Sequence, residues 1–418
     1  MASSYAVRST PAETFNKITV SCWLKSHADG TQRSFWGLYD NSSSDRFFHL
    51  YYSTNGSLYG YWKQNEGTFF TLGTMQKFRD PNAWFHFVMT MDTTLSTAAD
   101  RVKFYLNGER ITSFEDSLDT ITQNQTCNLM NGTTDGRMQW GGGKQSGTQY
   151  YWNGSMSHCH MCVGYAYDAT EFGETDSTSG IWKIKASPSV NYGTNGGWWF
   201  KDGSQLTDSS TNSNTLTSSG TLTNTEDNPS NNFATGNPIA NGGGNLTFTN
   251  GNTTIYDTDS TWRSGFGGLA PSSGKWYFEV KHAGSSSNVW IGIMDSSQLD
   301  GTGAYKFMEK SRGYGYSAGG EKGNNNSTGA GWGASYAQND IIGVAMDLDN
   351  NKIYFSKNGT WQDSGDPTSG ATGTGSMYDL ASGYNYFPAT SLYSTTAGVS
   401  FNFGNGYFGT TAVASSNS

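Results

Sequence analysis

DIIGVAMDLDNNKIYFSKNGTW, residues 340–361, is the stretch on which the fold turns. Ile341 to Leu348 and Lys352 to Ser356 read as two strands joined by a hairpin turn at Asp349-Asn350-Asn351. Lys352 to Trp361 alternates apolar and polar residues, then meets a second tight turn at Asn358-Gly359. VKFYLNGERI, residues 102–111, carries the same phrase, with Asn107-Gly108 in the equivalent place. Asn and Gly supply the positive φ of a hairpin turn at low cost. The repetition therefore predicts two scaffolds with a similar structural demand, not two copies of a binding motif. Function is expected in variable loops instead, above all 313–336.

Composition narrows the fold class. The chain has 418 residues, so two domains are the default. Only 14% of residues are charged, against roughly 25% in ordinary soluble proteins. Gly, Ser, Thr and Asn fill the gap, and aromatics reach 15%. Long helices with charged faces are hard to write in this alphabet. Short strands, Gly/Asn turns and aromatic cores are easy.

Charge excludes some partners. The net charge is −9 and no basic run occurs, which argues against nucleic acid and against a polybasic membrane contact. No apolar run approaches a membrane span, so membrane insertion is not expected. MASSYAVRSTPAETF has no secretory h-region, so the expectation is synthesis in a cytoplasm. Cys22, Cys127, Cys159 and Cys162 are then expected to be reduced, half-buried thiols.

Strand signals follow at short intervals from residue 15 to 163, with Asn55-Gly56 and Asn153-Gly154 as further turns. The single helical candidate is short, Asp168 to Phe172. From 191 to 243 a Ser/Thr/Asn-rich tract reads as a connector with a few tethering strands. Strands resume at Leu246. The fold class is all-β: two antiparallel jelly-roll-type β-sandwiches, at 1–190 and 244–418, joined by a polar linker.

These segments carry family resemblances. ITVSCWLKS (18–26), NAWFHFVMTMD (82–92), RVKFYLNGERI (101–111) and YWNGSMSHCHMCVGYAYD (151–168) resemble laminin G-like domains of the concanavalin A-like superfamily. GKWYFEV (274–280), WIGIMD (290–295), GYGY (313–316), DIIGVAMDLDNNKIYFSKNG (340–359), YFPATSLY (386–393) and VSFNFG (399–404) resemble, in that order, a SPRY domain. FGETD (172–176), YGTNG (192–196) and DNPSNNFAT (227–235), with the N-terminal stretch, resemble linked sandwich–SPRY proteins of marine bacteriophages. That resemblance implies a virion protein: a fibre, a tail-tip component or a capsid decoration.

Candidate chemistry is sparse. His158-Cys159-His160-Met161-Cys162 offers zinc ligand types, but a strand would turn Cys159 away from His158, His160 and Cys162, and no second pair stands nearby. An ordinary strand is expected there. In DLDNNK an EF-hand would need Gly and Glu where Lys352 and Asn358 stand. The laminin G-like resemblance implies calcium at a loop rim as an option, with Asp40, Asp45 or Asp135 as ligands. Relatives that cleave glycans use a carboxylate pair on a Glu-x-Asp-x-Glu strand, which is absent. Glu109, Glu115, Asp116, Glu171 and Glu174 are scattered, and the sequence suggests no Ser or Cys partner for His86. GGGKQSG (141–147) lacks the spacing of a phosphate loop. No enzyme activity, metal or cofactor is expected.

Aromatics beside polar turns are the remaining candidates. GYGYSAGGEKGNNNSTGAGWGASY (313–336) reads as a long glycine-rich loop, and SPRY domains bind ligands through loops at one sandwich edge. The expected ligand-binding set is Tyr316, Asn324, Trp332, Tyr336 and Trp361, with Trp290 nearby. The expected function is non-enzymatic attachment of a fibre or tail-tip protein to host-surface glycan or protein. The alternative is a decoration or joining protein that contacts other virion proteins. Self-association and a place on the virion surface are expected in both.

Overall fold

A computed structural model describes residues 4–26, 31–43, 45–64, 67–116, 121–130, 136–201, 206–240, 245–299, 305–329, 331–404, 407–408 and 411–412. The chain is all-β and divides into two compact units. One holds Met1–Asn224 and Asn228–Asn232; the other holds Thr225–Asp227 and Phe233–Ser418. Among the described residues no helix is long and apolar enough to cross a membrane.

The first unit packs a seven-stranded sheet on a six-stranded one. In the six-stranded sheet, Lys17–Ser26 lies between Phe85–Asp92 and Gly154–Val163, antiparallel to both. Its alternation sends Ile18, Val20, Cys22 and Leu24 into the core. Trp36, Trp62, Trp140 and Trp199 fill that core and are fully buried. The opposite face of the sheet is covered too. Cys162 packs with Phe172, Tyr192 and Trp198, and Val88 packs with Tyr105 and Ala169. This covering explains why Thr19, Ser21 and Lys25 are buried although they point away from the core. The expected helix shrinks to one 3-10 turn, Ala169–Glu171.

The tract expected to be a connector, 191–243, divides differently. Gly197–Trp199 pairs with Gly154–Val163, and Thr217–Ser219 pairs with Tyr5–Ser9, so residues up to Asn224 belong to the first unit. Polar side chains order this tract by bonding its backbone, where burial is scarce. Asp208 accepts the amide hydrogens of Trp198, Ser210 and Asn214, and Asn214 Nδ2 donates to the Gly196 carbonyl.

The second unit packs an eight-stranded sheet on a six-stranded one. The former runs Leu246–Thr249, Thr254–Asp257, Gly398–Asn402, Lys275–His282, Ile341–Asp347, Lys352–Lys357 and Thr360–Trp361, with Tyr378–Asp379 also pairing with Lys352–Lys357. Phe278, Val280, Ile342, Val344, Phe355 and Phe401 form its core face. DLDNNK is the expected turn: Asp347 accepts from the amide and the side chain of Asn350, and Asn351 takes φ +57°.

The segment 313–336 is not a long loop. Gly313–Ser317, Lys322–Asn324 and Ser327–Gly329 are three antiparallel strands at one edge of the six-stranded sheet. Asn325 and Asn326, at φ +51° and +59°, turn the second strand into the third. The glycines are there for packing. A Cβ at Gly315 would lie 2.8 Å from Phe307, and one at Gly323 would lie 2.5 Å from Met308 and 2.7 Å from Trp290.

Candidate functional site

The expected binding aromatics are mostly core. Tyr316 is 0% exposed and Tyr336 3% exposed, and Trp290 is buried as well. The Tyr316 hydroxyl donates to the Ala334 carbonyl, and the Tyr336 hydroxyl donates to the carbonyls of Tyr316 and Val289 at 3.0 and 3.2 Å. Trp332 is half-buried and stands edge-on to Tyr316 and Phe355, at 5.3 and 6.2 Å between ring centroids. Asn324 Nδ2 donates to the carbonyls of Ser311 and Gly313 and braces the strand edge. Tyr316 and Tyr336 thus offer no face to a ligand: alternation along Gly313–Ser317 turns Tyr316 inward, and Tyr336, outside any strand, packs against it at 5.2 Å between ring centroids.

Of the five, Trp361 lies beside a cleft. Across the eight-stranded sheet Asn402, Glu279, Gly343, Ser356 and Trp361 are direct cross-strand partners, each of the next. Directly opposed residues share a face. This row runs along the face away from the core, with Gly343 in its middle. Tyr277, Glu279, Ile341, Gly343, Ser356, Asn358 and Gly359 line the cleft of about 250 Å³. A Cβ at Gly343 would stand 2.4 Å from Ser356 Oγ and 2.6 Å from the Tyr277 hydroxyl, so these hydroxyls close over the position and only glycine fits beneath them. The Asn358-Gly359 turn forms part of the rim, so one of the twin phrases does take part in the candidate site.

Hydrogen bonds fix the cleft's polar groups. The Tyr277 hydroxyl donates to Glu279 Oε1 at 3.0 Å, and Asn402 Nδ2 donates to Oε2 at 3.0 Å. Glu279 is 2% exposed, and its burial pushes the carboxyl above the usual range against the pull of those two bonds. Burial beside that carboxyl also pushes the Tyr277 phenol up. The Tyr277 ring is 42% exposed, and Trp361 stands edge-on to it at 6.4 Å. Half-exposed rings beside a buried acceptor can hold one small polar group by stacking and hydrogen bonding.

Other candidate chemistry is structural. His86 has a serine partner that the sequence did not suggest: Nε2 lies 2.8 Å from Ser21 Oγ. Trp182 Nε1 donates to His86 Nδ1 at 3.0 Å. An indole only donates, so Nδ1 is bare and the neutral ring carries its proton on Nε2. That tautomer donates to Ser21 and leaves no base to activate it. Burial holds His86 down at about 3. Along His158–Cys162 a bulge at His158, φ +47°, shifts the register. Cys159 packs in the main core and Cys162 in the covering layer, so the cysteines part as alternation predicts. All four cysteines are free and buried. Among the described residues no group of three or more His, Cys, Asp or Glu could hold a metal. Asp40 lies 3.4 Å from Arg46 and Asp45 2.5 Å from Lys63, so both already have cations; Asp135 lies outside the described residues.

Family models agree with this architecture. Residues 2–162 match the family described as the concanavalin A-like lectin/glucanases superfamily, and residues 275–406 match the SPRY domain. The chain therefore carries an N-terminal laminin G-like domain of the concanavalin A-like kind and a C-terminal SPRY domain. No curated protein matches the chain. Among solved structures, it is similar to the SPRY domain of human HERC1 at 16% identity and TM-score 0.32, over 38% of this chain and 92% of that one. It is similar to the IT-sialidase CBM40 of Ruminococcus gnavus at 19% identity and TM-score 0.29, over 38% and 80%. The SAP-like pentraxin of Limulus polyphemus follows at 12% identity and TM-score 0.29, over 40% and 72%.

Proposed function

We propose that the chain is a non-catalytic binding protein, and that it serves on a bacteriophage particle as a fibre or tail-tip component attaching to host-surface glycan or protein. The observation that carries the binding reading is the cleft at Gly343, where the half-exposed Tyr277 ring stands beside a positioned carboxyl. Glu279 is the one carboxylate lining that cleft, whereas glycoside hydrolysis by the common routes uses two. Ser21, the serine paired with a histidine, has a partner in the wrong tautomer for a nucleophile. The particle assignment rests on the resemblance of the linked sandwich–SPRY sequence. Contact with other particle proteins and with further copies of this chain belongs to the same reading.

The test is to locate the protein in purified particles and to ask whether the purified chain blocks adsorption. A few copies at the tail, with adsorption blocked, support attachment. Hundreds of copies on the capsid, with adsorption unchanged, support the decoration role instead. Absence from particles overturns both.

A further inference from the structure

Among the described buried carboxylates of the second unit, Asp295 and Asp347 have cations, whereas Asp257 and Glu279 do not. Asp295 meets Arg312 at 2.5 Å, and Asp347 meets Lys275 at 3.4 Å. Asp257 accepts the amide hydrogens of Asp259 and Ser394. Among the described residues Glu279 has two neutral side-chain donors, Tyr277 and Asn402, one for each oxygen. Lys281, two residues on along the same strand, is not among the groups that perturb it. Each oxygen of a carboxylate accepts about two hydrogen bonds, so Glu279 keeps acceptor capacity toward the cleft that it lines. A buried carboxylate without a cation is costly.

Shape narrows the ligand. The cleft has about 250 Å³, less than the roughly 300–1,000 Å³ of small-molecule pockets. That suits one extended side chain. The exposed rings lie at 68° to each other, so they form a corner and not the flat platform on which a sugar would stack. Aromatic faces over a carboxylate attract a cation twice, through the ring quadrupole and through charge.

Building on the reading of this sandwich as a binding module, we propose that the Glu279 cleft takes a cationic side chain, the ammonium of lysine or the guanidinium of arginine, from a protein partner. Its head reaches Glu279 beside Gly343, and its stem lies along Tyr277 toward the Asn358-Gly359 turn. The chain's net charge of −9 favours a basic partner in the same sense.

The test follows the backbone amides of Gly343 and Gly359 in the full chain by NMR. The probes are Nα-acetyl-lysine methylamide, Nα-acetyl-arginine methylamide, the neutral norleucine analogue and methyl glucoside. Saturable shifts are expected with the two cations alone. Glu279→Gln should weaken them about tenfold or more, and Gly343→Ala, which fills the floor and keeps the carboxyl, should abolish them. Unchanged amide shifts in the second unit away from the cleft, as at Val289–Asp295, report that each variant is folded. Equal response to norleucine or to the glucoside, no saturable shift with either cation, or full binding by Glu279→Gln overturns the proposal. If the cations fail to bind yet the purified chain still blocks adsorption, this inference falls and the binding function stands. If they bind and adsorption is unaffected, the converse holds.

Discussion

Asn358 and Ile341 bond to each other twice. The Asn358 amide donates to the Ile341 carbonyl, and the Ile341 amide donates to Asn358 Oδ1, both at 2.8 Å. Asn107 and His86 repeat this in the other sandwich, at 2.9 and 2.8 Å. The two asparagines have φ +49° and +48°, which takes their own carbonyls out of the ladder. Their side-chain oxygens supply the missing acceptor and extend the pairing by one residue. The twin phrase is therefore a turn with a built-in strand clamp, made by the asparagine and not by the glycine after it.

Two substitutions at this turn separate its roles. Asn358→Gly keeps the positive φ and loses the side-chain acceptor, so it should cost about 1 kcal/mol. Asn358→Ala also forces a Cβ into the left-handed region and should cost about 1 kcal/mol more. Urea unfolding gives the magnitudes, and faster hydrogen exchange at the Ile341 amide marks the lost clamp. Equal stability of the Gly variant and the parent would show that the side-chain bond contributes nothing. Asn107→Gly should behave alike, with the His86 amide as the reporter.

The floor of the cleft predicts a coupled pair. Gly343→Ala places a methyl 2.4 Å from Ser356 Oγ and 2.6 Å from the Tyr277 hydroxyl. Overpacking of this kind costs about 1–3 kcal/mol. Ser356→Ala removes one of the two obstructions, so Gly343→Ala should cost less in that background. A double-mutant cycle by urea unfolding measures the coupling, expected at about 0.5–2 kcal/mol. Strict additivity would mean that Tyr277 alone resists the methyl.

These two sites differ in how far the sequence announces them. Asn-Gly after an alternating strand declares its turn through local chemistry, and both hairpins form where alternation placed them. The cleft row joins residues 279, 343, 356, 361 and 402, and only the register of five strands makes them neighbours. The one local hint was a glycine inside the strand IIGVAMD, where a side chain would have been expected. Residues 313–336 misled in the opposite sense. Their glycines resemble loop composition, but Gly315 and Gly323 are required by the bulk of Phe307, Trp290 and Met308. Likewise Ser21 and His86 stand 65 residues apart and meet only because their strands pair side by side.

Glu279 makes stability depend on pH with an unusual sign. Burial raises its folded-state value above the ordinary 4.5. Between the unfolded and the raised folded value, the native state holds more protons than the unfolded state. Stability then falls as pH rises through that window and stays lower above it. Glu279→Gln removes the titration. The variant should be more stable than the parent at pH 7, and the gap should close below about pH 4, where both states of the parent are protonated. Urea midpoints at pH 4 and pH 7 test this. A variant weaker at pH 7 would mean that the ionised carboxyl stabilises its neighbours.

His49 makes the first sandwich acid-sensitive. Its ring is fully buried, lies stacked on Tyr51 at 4.6 Å, and has no hydrogen-bond partner at either nitrogen among the described residues. Burial pushes it down to about 3, against 6.5 when exposed. Below pH 6.5 the unfolded chain takes a proton that the native ring refuses, so stability falls with pH from 6.5 toward 3. At pH 5 the loss is about 2 kcal/mol, at 1.36 kcal/mol per unit. His49→Phe keeps the stack and abolishes the titration. It should match or exceed the parent at pH 8 and gain about 2 kcal/mol over it at pH 5. His86 is held equally low, but His86→Phe would also strip Ser21 and Trp182 of their partner, so it should cost stability at every pH. Parallel pH profiles for parent and His49→Phe would show that the ring is already protonated, or open to water, in the native state.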